Sequence, residues 1–144
     1  MDRRTRNRIY IWLMTLGVMN LTLYTALYAY IGGDAINGHI GGGQTTKQYV
    51  VSGHFLHGLT GGESVVSARV WIYSYLHSLS IIPTCVAILV PLMILARPHV
   101  IATMKEGSWM QGATAMTASM TILIALAVMW TLWIGLSFIR EIRG

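Results

Sequence analysis

Three long apolar stretches, residues 9–31, 70–96 and 113–139, alternate with segments rich in glycine, charge and polar side chains. A hydrocarbon layer about 30 Å thick takes about 20 apolar residues in helical form, so each stretch is long enough to cross it. The pattern predicts an all-α membrane protein, a three-transmembrane-helix bundle with a long glycine-rich loop between the first two spans. Its parts are a basic N-terminus (1–8), span one (9–31), an outer loop (32–69), span two (70–96), an inner loop (97–112), span three (113–139) and a short tail (140–144). The first stretch exceeds the roughly 7–15 apolar residues of a signal peptide, so it reads as a span that is retained.

Within each stretch, residues recur at alternating spacings of four and three. Leu13, Gly17, Asn20, Tyr24, Leu27 and Ile31 form such a stripe in the first. Tyr73, His77, Ser80, Thr84, Ala87 and Pro91 form one in the second, and Thr114, Ala118, Thr121, Ala125, Val128 and Leu132 one in the third. A 3.5-residue period marks a packing seam. In lipid, small residues on a seam let backbones approach and polar ones hydrogen-bond across it. These stripes predict contact between the helices, or in one case a docking face for another subunit. Pro83 and Pro91 each remove a backbone donor, which predicts a kinked second helix, and Pro98 reads as its stop.

Composition supports the membrane reading. The chain is 54% hydrophobic and 10% charged, against about 25% charged in soluble domains. The net charge of +5 is unevenly placed, with Arg3, Arg4, Arg6 and Arg8 directly before the first span. A basic cluster beside the first span favours the inner side, which predicts an N-in, C-out orientation in a bacterial cytoplasmic membrane. No basic stripe continues beyond it, which argues against a nucleic-acid partner. Aromatic residues agree with the layering. Tyr24, Tyr28 and Tyr30, then Trp71, Tyr73 and Tyr75, then Trp130, Trp133 and Phe138 fall at the expected outer interface, with Tyr10, Trp12 and Trp109 at the inner one. Cys85 is the single cysteine, so neither an intrachain disulfide nor a multi-cysteine zinc site can form.

The loop 32–69 holds ten of the fifteen glycines. Asn37-Gly38 has the centre of a type I′ hairpin, and residues 48–51 read as a short strand. Thr60-Gly61-Gly62-Glu63 has capping-box spacing, which predicts that helix two begins near Glu63. The run GGDAINGHIGGGQTT has no lysine where a phosphate-binding loop needs one, and it follows an apolar helix rather than a strand, so that function is excluded.

Candidate chemistry is sparse. His77 lies inside the second span, where an ionisable side chain is a functional candidate. Its structural reading is a hydrogen bond to Tyr24 or Tyr28. Its functional reading is a haem, chlorophyll or quinone site with Tyr73 and Tyr24, although a bis-histidine haem would need its second histidine from another chain. His54 and His57, with His39, Asp34 and Glu63, are candidate metal ligands on the loop. Asn20, near the middle of span one, should face inward and pair. All five acids lie outside the spans, so no acidic proton relay crosses the bilayer within this chain. No nucleophilic triad can be drawn from spacing, and no cofactor is required.

The motif GGDAING at 32–38, with VVSARVWIYSYLHS at 65–78, resembles small uncharacterised bacterial integral membrane proteins. The resemblance covers about a seventh of the chain and implies no activity. It implies that Gly32, Gly33, Asp34, Asn37 and Gly38 form one partner-contacting element near Tyr73 and His77. Taken together, the sequence predicts a noncatalytic accessory or assembly subunit of an energy-converting or transport complex, with other membrane subunits and lipid as partners. The alternatives are a cofactor- or quinone-binding subunit using His77 and a small oligomeric channel or transporter.

Overall fold

Long apolar runs satisfy their backbone groups most simply as helices, and a computed structural model of the chain shows three, describing residues 2–42, 47–53, 62–104 and 111–143. Helix α1 covers Arg3–Ile31, α2 Ala68–Thr103 and α3 Gly112–Arg143. Strands β1 (Asp34–Gly41), β2 (Gln48–Ser52) and β3 (Glu63–Val66) lie between α1 and α2. All three helices are long and apolar enough to cross a membrane. Only 6% of each apolar window is buried within the chain, so most of this surface needs lipid or another protein against it.

Several hydroxyls on these surfaces are satisfied locally. Thr15, Thr25, Thr117, Thr121 and Ser137 each donate to the carbonyl four residues earlier at 2.9–3.1 Å. That bond removes the cost of an unpaired hydroxyl in an apolar medium.

The expectation of an all-α chain is corrected by a three-stranded antiparallel sheet of order β1-β2-β3. The strand expected at 48–51 is β2. The hairpin expected at Asn37-Gly38 is absent. Both residues lie inside β1, and neither has the positive φ that a type I′ turn demands. Instead β1 advances from Asp34 to His39 while β2 retreats only from Ser52 to Val50, which makes a broad bulge. The ladder resumes at His39, and Gly38 just before it lies so close to the Val50 carbonyl that a side chain would collide with it.

The start of α2 also differs from expectation. Glu63 pairs with Ser52 in the sheet rather than capping a helix. Ser67 takes that role, its Oγ accepting from the Val70 N–H at 3.4 Å, and helical bonding starts with Trp71 N–H to Ser67 O. Thr60 and Gly61 lie outside the described residues. At its other end α2 continues through Pro83, Pro91 and Pro98 to Thr103, so Pro98 does not stop it.

The chain divides into two compact units. One comprises Met1–Asn20 and Ile82–Trp130. Within it α1 meets α2 where Gly17 lies against Ile88 and Thr84, and Asn20 Nδ2 donates to Thr84 Oγ1 at 2.9 Å. Gly17, Asn20 and Thr84 are all seam positions read from the sequence. Gly112, the first residue of α3, packs against Ile101 and Met104.

The other unit comprises Leu21–Ile81 and Thr131–Gly144 and holds the sheet. Its core is Ala35, Val51, Trp71 and Tyr75, flanked by Ile31, Ile36, Ile40, Tyr49, Val66, Ile134 and Phe138. Trp71 is fully buried, stacks on Phe138 at 6.3 Å between ring centroids, and donates its indole N–H to the Val50 carbonyl at 3.2 Å. Tyr75 Oη donates to the Ile134 carbonyl at 3.4 Å. Trp71 and Tyr75 were expected at the lipid headgroups. They are core residues instead, because the sheet supplies an apolar surface and a carbonyl for the indole. Tyr30, Tyr73, Trp130 and Trp133 do remain exposed.

The stripe expected on α3 is likewise corrected. Thr114, Thr121, Ala125, Val128 and Leu132 are exposed, whereas the covered face carries Met116, Met120, Leu123, Ala127, Thr131, Ile134 and Phe138. Both stripes have spacings of three and four, and the core decides between them near the C-terminal end, where Ile134 and Phe138 pack against it.

Candidate functional site

In the sheet-bearing unit, α1 ends on two glycines. The Tyr28 carbonyl accepts from the N–H groups of both Gly32 and Gly33, at 3.1 and 3.0 Å. Both glycines have positive φ, 88° and 143°, which residues with a Cβ rarely adopt. Gly33 also lies directly against the Ser52 and Gly53 backbone, where a side chain would not fit. This turn delivers Asp34 into the protein rather than to its surface.

Asp34 is buried, and its carboxyl group is fully engaged. Oδ2 accepts from Tyr24 Oη at 2.9 Å, while Oδ1 accepts from the Asn37 N–H at 3.0 Å and from Asn37 Nδ2 at 2.7 Å. The neighbouring Ala35 N–H donates to Ser74 Oγ at 3.1 Å, and Ser78 Oγ reaches Tyr24 Oη at 3.5 Å. One carboxyl thus ties α1 to the bulge of β1, and two serines one turn apart tie both to α2.

Beside this network His77 Nδ1 lies 3.1 Å from Tyr73 Oη. The imidazole also meets the rings of Tyr24 and Tyr73 edge-on, at centroid distances of 5.4 and 5.5 Å. Its hydrogen-bond partner is therefore Tyr73, one turn earlier on the same helix, and not Tyr24 or Tyr28. Tyr24, Tyr28, Gly33, Tyr73, Ser74 and His77, with Leu27 and Ile31, line a small cleft. About 10 Å³ of it is open to the centre of a water molecule, room for roughly one water. That suits a single oxygen-centred group and is far smaller than a porphyrin macrocycle.

The candidate residues distribute unevenly. Tyr24, Tyr73, His77 and Gly33 share the cleft, and Gly32, Asp34 and Asn37 form the turn beside it. Gly38 sits on the sheet against Val50, and Asn20 belongs to the other unit through Thr84. His39 approaches Glu63 at 3.8 Å, with both side chains more than half exposed. His54 and His57 lie outside the described residues. Among the described residues no three histidine, cysteine, aspartate or glutamate side chains cluster to hold a metal ion. Asp34, once a candidate ligand, has its oxygens committed to Tyr24 and Asn37. Sequence reading missed Ser74 and Ser78. Their signal was two small polar residues at i and i+4, which share one face of a helix. No protein-family model, no curated protein and no solved structure matches this chain.

Proposed function

We propose that this chain is a noncatalytic accessory or assembly subunit of a larger energy-converting or transport complex. It would sit in a bacterial cytoplasmic membrane with its N-terminus inside and the sheet outside. The carrying observation is where the polar groups go. Asp34, Asn37, Ser74, Trp71 and Tyr75 are all committed to bonds within the chain. The helices meanwhile turn large apolar side chains outward, including Trp133 at 72% and Leu132 at 62% exposed. Polar groups spent on internal bonds and apolar helix faces left uncovered suit a scaffold better than a reaction centre. The orientation rests on the four arginines before α1's apolar run.

Gentle detergent extraction followed by native mass spectrometry tests this reading. A discrete heteromeric assembly is expected, with photocrosslinks from position 133 to one defined partner. A species containing this chain alone, able to support ion or solute flux in proteoliposomes, would overturn it in favour of a channel or transporter.

A further inference from the structure

The Nε2 atom of His77 is buried and has no hydrogen-bond partner among the described residues. Its ring partner on the other side is well defined, since Nδ1 lies 3.1 Å from the Tyr73 hydroxyl. A phenol is a good donor, and in neutral imidazole the nitrogen that accepts leaves the hydrogen on the other. With Tyr73 donating to Nδ1, Nε2 carries an N–H that lacks an acceptor. Contact with the Tyr24 ring at 5.4 Å offers at most a weak N–H···π interaction. A buried donor without an acceptor is costly, and the cleft that His77 helps to line has room for roughly one oxygen-sized group.

Position narrows the chemistry of that oxygen. His77 lies nine residues into α2, about 14 Å along the helix. Exposed Tyr30 and Tyr73 occupy this end of α1 and α2. Such rings favour the headgroup level of a bilayer, the depth of lipid ester carbonyls and of membrane-borne quinone rings. Tyr24, Leu27, Tyr28 and Ile31 supply an aromatic and aliphatic wall, and Gly33 completes the lining with bare backbone.

We propose that the Tyr24–Tyr73–His77 cleft binds the carbonyl oxygen of a membrane-borne molecule, with His77 Nε2–H as donor and Tyr73 fixing the tautomer. The site requires that the chain be embedded in lipid, and it is independent of the accessory role proposed above. A lipid ester and a quinone present the same group, so the experiment separates them.

The full chain, with ¹⁵N-labelled histidine, is placed in nanodiscs of ether-linked phosphatidylcholine, which has no ester carbonyl. It is compared with nanodiscs of ester-linked phosphatidylcholine, and with ether-linked nanodiscs titrated with decylubiquinone. The Nε2 resonance is assigned by its loss in His77→Phe. A protonated Nε2 whose shift changes in the ester nanodiscs identifies lipid as the source. A saturable change on adding decylubiquinone identifies a quinone. Tyr73→Phe, which removes only an exposed hydroxyl, should weaken either response about 2- to 10-fold while circular dichroism stays unchanged. An Nε2 signal identical in all three preparations, or an Nε2 that carries no hydrogen, would overturn the proposal. The first result would leave a site that holds only water.

Discussion

At the scale of single residues, Asp34 does the most to shape the sheet-bearing unit. Its two carboxyl oxygens receive three hydrogen bonds, from a helix side chain, a strand amide and a strand side chain. Replacing it with alanine removes all three, leaving Tyr24 Oη without its acceptor in a part-buried place and freeing the exposed Asn37 from the turn that anchors β1. Asp34→Ala should therefore destabilise this unit by roughly 2–4 kcal/mol. Hydrogen exchange is the direct measurement, with faster exchange expected at the β1 and β2 amides and little change in the N-terminal half of α1. The sequence displayed Asp34 plainly, as an acid just after an apolar run, but not its partners. Tyr24 precedes it by ten residues and Asn37 follows by three, and only the two left-handed glycines between helix and strand turn the carboxyl toward both. His77 shows the same limit. Its place inside an apolar run was legible, but the choice of Tyr73 over Tyr24 depends on side-chain direction along α2.

At the scale of elements, two kinds of contact hold the helices. Close approach governs the first, where Gly17 on α1 admits Ile88 of α2 and Asn20 bonds Thr84. Asn20→Leu should cost about 0.5–1.5 kcal/mol, the usual range for a hydrogen bond between membrane helices, whereas Gly17→Leu should disrupt the contact outright. Denaturant titration followed by circular dichroism separates the two, with a small loss of helix stability expected for Asn20→Leu and a larger one for Gly17→Leu. The second contact is the aromatic core over which β2 lies. Trp71→Ala removes a fully buried indole and its bond to Val50, and should cost about 3–5 kcal/mol. Chymotryptic cleavage after Tyr49 in β2, seen by mass spectrometry, should then appear at protease levels that leave the native protein intact. The seams of α1 and α2 were readable because their small and polar members fall on one face at the expected period. The seam of α3 was not, since two faces carry similar spacing and only the space beside Trp71 and Tyr75 selects Ile134 and Phe138 over Leu132.

At the scale of the whole molecule, three apolar helices and one small sheet define a protein that belongs in lipid, and orientation becomes a measurable property. On the proposed N-in orientation, cysteine at the 68%-exposed position 65 of a Cys85→Ser chain should react with an impermeant maleimide added to intact cells. Cysteine at exposed position 5 should react only after permeabilisation, and the opposite pattern would reverse the orientation. The number of helices and their apolar stretches followed from the sequence by itself, because crossing a bilayer demands a continuous apolar run, but not their full lengths, since α1 begins at Arg3 and α2 runs on to Thr103. Charge added a preferred side. The sheet was only half visible, with residues 48–51 legible as a strand while Asn37-Gly38 pointed to a turn that the bulge of β1 replaces. Local patterning reports what a segment prefers in isolation. The tertiary structure alone decided that Glu63 joins a strand, that Ser67 caps α2, and that Trp71 and Tyr75 leave the membrane surface for a core. Each of these depends on a surface supplied by residues far away in the chain.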